Sequence, residues 1–187
     1  MSSEDLKREA EDVFSRADLL YTTEQVDAAL DRLAQEISHK LGGENPLVIC
    51  PMIGGVVVTG QLITRLSFPL QVDYIHASRY RGDTTGKDLQ WLRTPQPNVA
   101  NRTLLIVDDI LDEGITLEII IQACKHAGAH RIFTAVLIEK QISKPRPLEH
   151  ADFTGLTVPD RYVFGYGMDY KGYLRNCDGI YAVSNHE

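Results

Sequence analysis

The sequence predicts an α/β protein, with a mostly parallel central sheet flanked by helices on both faces. Two observations predict it. Short apolar runs rich in β-branched residues alternate along the chain with longer stretches of helical periodicity, the order that gives parallel strands joined by helical crossovers. One of those runs, LLIV at residues 104–107, is apolar without interruption, as a strand buried on both faces should be.

Each element follows from its local pattern. Thr22 and Gln25 have the spacing of a capping box, and Val26, Leu30, Leu33, Ile37 and Leu41 then recur on one helical face until Gly42 and Gly43 stop the turn. LVIC (47–50) reads as a strand, followed by Pro51, Ile53, Gly54 and Gly55 as a glycine turn and VVVTGQLITRL (56–66) as a helix. LQVDYIHA (70–77) alternates and is rich in β-formers. After LLIV, LEIIIQACKHAG (117–128) is a helix closed by its own glycine, and RIFTAVLIE (131–139) is the next buried strand. The polar stretch RYRGDTTGKD (79–88), with two glycines, is expected to be a loop. No repeat, low-complexity run or long linker divides the 187 residues, so one domain over 1–187 is expected.

Composition removes several function classes. A net charge of −7 argues against non-specific nucleic-acid binding, which depends on clustered Lys and Arg. No window approaches the roughly 18 apolar residues of a membrane span, and the start MSSEDLKREAEDVF is too acidic for a targeting signal, so a cytoplasmic location is expected. Cys50, Cys124 and Cys177 are widely spaced and suggest neither a disulfide framework nor a zinc knuckle. His126 and His130 are four apart, but Gly128 lies between them and would end a helix, so a histidine metal site is not expected.

Ligands of such sheets bind beyond the carboxyl ends of the strands. There the sequence is most informative. LLIV is followed by Asp108, Asp109, Ile110, Leu111, Asp112, Glu113, Gly114, Ile115 and Thr116, which puts four carboxylates into six positions. Acids near a helix N-terminus are favourable by about 0.3–1 kcal/mol each, which would account for Asp112 and Glu113 alone. It does not account for a pair at the tip of a buried strand. Asp108 and Asp109 project in alternate directions, so at least one must find donors at the sheet rim, and sugar hydroxyls or a divalent cation are natural partners. The glycine lets the backbone approach a ligand, and the N–H groups of residues 113–116 can point at a phosphate. Neither GxxxxGK[ST] nor GxGxxG after a strand is present, which argues against ATPase and dinucleotide-binding readings.

With those residues in view, LLIVDDILDEGITL resembles the phosphoribosyl diphosphate motif of the type I phosphoribosyltransferases, and the likeness to the hypoxanthine-guanine members extends from about residue 47 to the C-terminus. The resemblance implies that family's fold, with a small hood from the N- and C-terminal segments. It implies transfer of phosphoribosyl from 5-phosphoribosyl 1-diphosphate to N9 of hypoxanthine or guanine, giving IMP or GMP and pyrophosphate. Asp108 and Asp109 would hold the ribose hydroxyls. The loop of Asp112, Glu113, Gly114, Ile115 and Thr116 would wrap the 5-phosphate, with Asp112 near purine N7 as general base. Lys140 would donate to the 6-oxo group, Tyr162 would stack on the base and the Val163 backbone would meet its edge. Asp169 would bind Mg²⁺, Arg175 would reach the pyrophosphate, and Ile53 and Gly54 would contact it through the backbone. Arg79 and Tyr80 would open a lid that excludes water. A homo-oligomer, dimer or tetramer, is the family habit.

The chain departs from the family pattern at Ile53, at Arg79 where serine is usual, and above all at Glu113, where Thr or Ser normally donates to the phosphate. Two other readings stay open on the sequence. One is a regulatory protein that keeps the fold and senses nucleotides, for which Glu113 is the best support. The other is a phosphoribosyltransferase for a different base, although Lys140 as a donor favours an oxo-substituted ring over adenine.

Overall fold

The computed structural model describes residues 2–79 and 89–184. The long central strands are β2 (Leu47–Met52), β3 (Gln71–Arg79), β5 (Thr103–Leu111), β6 (Arg131–Gln141) and β7 (Phe153–Pro159), with β4 (Leu89–Arg93) at one edge. They form a sheet in the order β4-β3-β2-β5-β6-β7. All neighbours pair in parallel except β4, which returns antiparallel beside β3. Helices α2 (Thr23–Leu41) and α3 (Val56–Ile63) cover one face, and α4 (Ile115–His126) covers the other.

The alternation of side chains explains why the strands read as continuous apolar runs. On β5, Leu105 and Val107 enter the core beneath α2 and α3, while Leu104 and Ile106 enter the core beneath α4. The helix expected after Thr22 starts there, with both halves of the Thr22–Gln25 capping box formed. Its five periodic residues, Val26, Leu30, Leu33, Ile37 and Leu41, are all buried, each contributing about 1.5–3 kcal/mol of burial as an upper bound.

A second, three-stranded sheet forms the hood. It orders β1 (Asp18–Tyr21), β9 (Ile180–Ala182) and β8 (Val163–Phe164), joining the two ends of the chain. Helix α1 (Ser3–Arg16) docks against it. The sequence reading did not include α1, although Ser2 and Asp5 form a reciprocal capping box at its start. No helix among the described residues is long and apolar enough to cross a membrane.

Several boundaries differ from the expectation. Strand β5 runs four residues beyond LLIV to Leu111, so Asp108 and Asp109 lie inside the strand rather than after it. Strand β6 continues to Gln141, which places Lys140 within its last turn of pleat. Both extensions follow strand pairing. β5 continues because its pairing with β6 runs on through Ile110↔Ile138 and Leu111↔Glu139, and β6 continues because Lys140 and Gln141 pair with Val158 and Pro159 of β7; backbone pairing does not depend on the side chain being apolar.

Candidate active site

The carboxyl ends of β2, β3, β5 and β6 open into one cleft with two adjoining compartments. The larger cavity, about 500 Å³, is lined by the turn after β2, the end of β5, the start of α4, and Asp169 and Arg175 from the hood segment. The smaller, about 330 Å³, is lined by Lys140, Tyr162, Val163 and Met168. Asp109, Ile110, Asp112 and Asp169 face both.

Asp108 and Asp109 are built into the floor. The Asp108 carboxylate accepts the N–H of Asp109 at 3.0 Å, and the Asp109 carboxylate accepts that of Ile110 at 2.8 Å. Burial, and then the charge of Asp109 beside it, push the Asp108 carboxyl well above the ordinary carboxylate range, while Arg175 pulls the other way. Burial raises Asp109 as well. A buried and a half-buried acid side by side in one wall are stabilised by whatever brings donors or positive charge to them. The turn after β2 presses directly on this pair. A Cβ at Gly54 would lie 2.3 Å from Oδ2 of Asp109, so only glycine allows the approach. Ile53, beside it, is exposed and lines the same cavity.

The loop from Asp112 enters α4 through Gly114, whose φ of +72° lies in the left-handed region. A side chain there would be strained and would also crowd Leu148. Its N-cap, Gly114, has no side chain to cap the first turn, and Glu113, Gly114 and Thr116 line the larger cavity, so the opening of α4 can serve as a cradle for an anion. Glu113 is exposed at the cavity mouth, Thr116 lines the wall, and Ile115 opens the helix without lining either compartment.

At the joint between compartments, the Lys140 ammonium donates to Oδ2 of Asp112 at 2.7 Å. Lys140 is only 8% exposed, so it is far from a solvated strand end. The joint has a brace that the sequence reading missed. Arg146 donates to the carbonyls of Leu111, Asp112 and Lys140 at 3.1–3.3 Å and to Glu139 at 2.7 Å. One guanidinium thus ties the end of β5 to the end of β6. Glu139 is completed by His150 and Thr154. Nothing in the string KPRPLEH marks Arg146, because its partners are main-chain oxygens up to 35 residues away.

In the hood, Tyr162 is half-exposed and Val163 buried, both facing the smaller cavity. Arg175 donates to the Gly167 carbonyl and pairs with Asp169 at 2.7 Å. The other Asp169 oxygen accepts the Gly172 N–H at 2.6 Å. Among the described residues no group of three or more His, Cys, Asp or Glu could hold a metal ion. As a single carboxylate, Asp169 fits a hard cation that takes most of its ligands from substrate oxygens and water, the usual habit of Mg²⁺.

The structure thus brings together Ile53, Gly54, Asp108, Asp109, Asp112, Glu113, Gly114, Thr116, Lys140, Tyr162, Val163, Asp169 and Arg175. Arg79 closes β3, but its side chain, Tyr80 and the rest of the expected lid lie outside the described residues. His76 and Ala77, also in the larger cavity, were not anticipated. Their signal was positional, since they occupy the carboxyl end of a parallel strand.

With the geometry in place, comparison with known proteins is informative. Residues 17–171 match the model of the phosphoribosyl transferase domain. The chain is 29% identical over 162 residues to a hypoxanthine-guanine-xanthine phosphoribosyltransferase of Tritrichomonas foetus, covering 87% of this chain and 88% of that one. It is 28% identical over 163 residues to the hypoxanthine-guanine phosphoribosyltransferase of Bacillus subtilis, covering 87% and 90%. A crystal structure of a hypoxanthine-guanine phosphoribosyltransferase from Bacillus anthracis superposes with a TM-score of 0.81 at 27% identity, covering 89% of this chain and 98% of that one.

Proposed function

Because the chain belongs to the phosphoribosyl transferase domain family, we propose that it is a purine salvage enzyme, transferring phosphoribosyl from 5-phosphoribosyl 1-diphosphate to N9 of hypoxanthine or guanine. The products are IMP or GMP and pyrophosphate. One observation carries this reading. A compartment with an anion cradle and an adjacent pair of acids adjoins one with a buried lysine and an aromatic rim, and Asp112 faces both.

In this reading the main-chain donors opening α4 hold the 5-phosphate, and Asp108 and Asp109 accept from the ribose hydroxyls. The C1–oxygen bond to pyrophosphate breaks as the bond from N9 to C1 forms, through a transition state with oxocarbenium character. Arg175 and the backbone at Ile53 and Gly54 steady the departing pyrophosphate. Lys140 donates to the 6-oxo group, Tyr162 stacks on the base and the Val163 backbone meets its edge. Asp112 takes or shares the N7 proton as N9 becomes alkylated. Because Asp112 is paired with Lys140, an arriving oxopurine exchanges part of that contact for two of its own. Asp169 would hold Mg²⁺, which supplies charge neutralisation at the pyrophosphate oxygens. The same reading includes a cytoplasmic location and a homo-oligomeric assembly.

The test is direct. The purified protein is incubated with 5-phosphoribosyl 1-diphosphate, Mg²⁺ and, in turn, hypoxanthine, guanine, xanthine and adenine, and nucleotide formation is followed. Turnover with 6-oxopurines and not adenine is expected. Absence of turnover with every base would replace the enzyme reading with a nucleotide sensor.

A further inference from the structure

Helix α1 ends at Arg16, and the family match begins at residue 17. The helix packs on the hood rather than on the central sheet. Phe14 sits edge-on to Phe164 and Tyr181, with ring centroids at 6.3 and 5.2 Å. At the other end the Tyr173 hydroxyl lies 3.3 Å from both the hydroxyl and the carbonyl of Ser3. Between these two anchors, one Glu9 oxygen accepts from the Tyr170 hydroxyl at 2.7 Å and from the Lys171 ammonium.

Tyr170 in turn meets the rim of the smaller compartment. Its ring packs edge-to-face with Tyr162, centroids 5.5 Å apart at 66°. Tyr162 is 49% exposed, and a ring that exposed needs lateral contacts to hold one orientation, since ordering it during binding would weaken affinity. Glu9 fixes Tyr170 by a charged acceptor, the stronger class of hydrogen bond.

We infer that Glu9 of α1 is a positioning residue for base recognition, holding Tyr170 so that Tyr170 keeps the Tyr162 ring ready to receive a planar base. This rests on reading the smaller compartment as the purine site. The first segment of the chain thereby tunes one substrate's affinity and leaves the other's alone.

The experiment measures KM for purine and for 5-phosphoribosyl 1-diphosphate, together with IMP binding by calorimetry and Tm, in Glu9→Ala, Glu9→Gln, Tyr170→Phe, the Glu9→Ala/Tyr170→Phe pair and Tyr162→Ala. Glu9→Ala and Tyr170→Phe should each raise the purine KM about two- to tenfold, the scale of ordering one side chain. KM for the diphosphate should stay within about twofold, Glu9→Gln, which keeps an acceptor but not its charge, should fall between wild type and Glu9→Ala, and the pair should be no worse than either single variant. A Glu9→Ala variant with unchanged purine KM, or with both KM values raised together, overturns the inference. So does an effect of Glu9→Ala that persists in full on top of Tyr170→Phe. Tyr162→Ala separates the two levels of the argument. If it raises the purine KM while Glu9→Ala does not, only the role of α1 fails; if it too is silent, the purine-site reading fails and takes this inference with it.

Discussion

The two compartments of the cleft are built in opposite ways. The larger takes the wall proposed as an anion cradle from one contiguous segment, from Asp108 on β5 to Thr116 on α4, where main-chain groups would be the donors. The smaller is assembled from Asp112, Lys140, Tyr162 and Val163, drawn from three separate stretches of the chain, and in the proposed reading all but Val163 act there through side chains. Backbone donors are fixed by the local fold and tolerate a change of side chain. A site made of convergent side chains depends on each one. Arg146 is where the two constructions meet, since it holds the ends of β5 and β6 in register.

That contrast can be broken by mutation. The largest effect is expected for Asp112→Asn, which keeps the shape of the side chain but removes the proposed proton acceptor. Its kcat should fall by about 10²- to 10⁴-fold, the usual worth of a positioned general base, with a much smaller change in purine binding. Equal losses in kcat and in purine affinity would remove Asp112 from that role. Lys140→Met comes next. Loss of a charged hydrogen bond predicts a drop of about ten- to a hundredfold in kcat/KM for the purine, with KM for the diphosphate changed less than about twofold. A matching rise in the diphosphate KM would show that the compartments are not separable.

The backbone-built half should respond more mildly. Glu113 is exposed at the helix N-terminus, and the proposed reading needs its carboxylate to point away from the phosphate while main-chain donors hold it. Glu113→Thr should lower KM for 5-phosphoribosyl 1-diphosphate by about two- to fivefold, the scale of one charge at a helix end. An unchanged or higher KM would mean that the acid costs the phosphate site nothing.

The smallest effect concerns the brace and is read in stability against pH. Burial alone would raise the Glu139 carboxyl, but hydrogen bonds from His150 and Thr154 and the charge of Arg146 outweigh it and hold the group below the ordinary glutamate value of 4.5. A depressed folded pKa means that the stabilisation is complete above the unfolded value and is lost as the pH falls through the folded one. Glu139→Gln should therefore lower Tm near neutrality and flatten its fall below about pH 4.5. An equally steep acid limb in the variant would place that sensitivity elsewhere.

Legibility in the sequence followed the same division. The strand, acid pair, glycine and helix start of residues 104–117 could be read because their chemistry is local, and the structure places that stretch at one end of the sheet. Lys140, Tyr162, Val163, Asp169 and Arg175 were nominated only through family resemblance, since a lone lysine or tyrosine has no local signature. Arg146 and Glu9 had neither a motif nor a resemblance to mark them. Helix α1 carried a capping signal in Ser2 and Asp5, but an acidic amphipathic stretch does not say what it will pack against.

By itself, the sequence determined the α/β class, the helix after Thr22, the alternation of buried strands and the polar cradle after LLIV. These depend on periodicity, capping and turn chemistry acting over a few residues. Tertiary structure alone decided how far β5 and β6 extend, that Lys140 is buried against Asp112, that Arg146 ties the ends of β5 and β6 together, and that Glu9 meets Tyr170. Those outcomes depend on strand pairing and on hydrogen bonds between groups 28–161 residues apart, a distance over which no local pattern carries information.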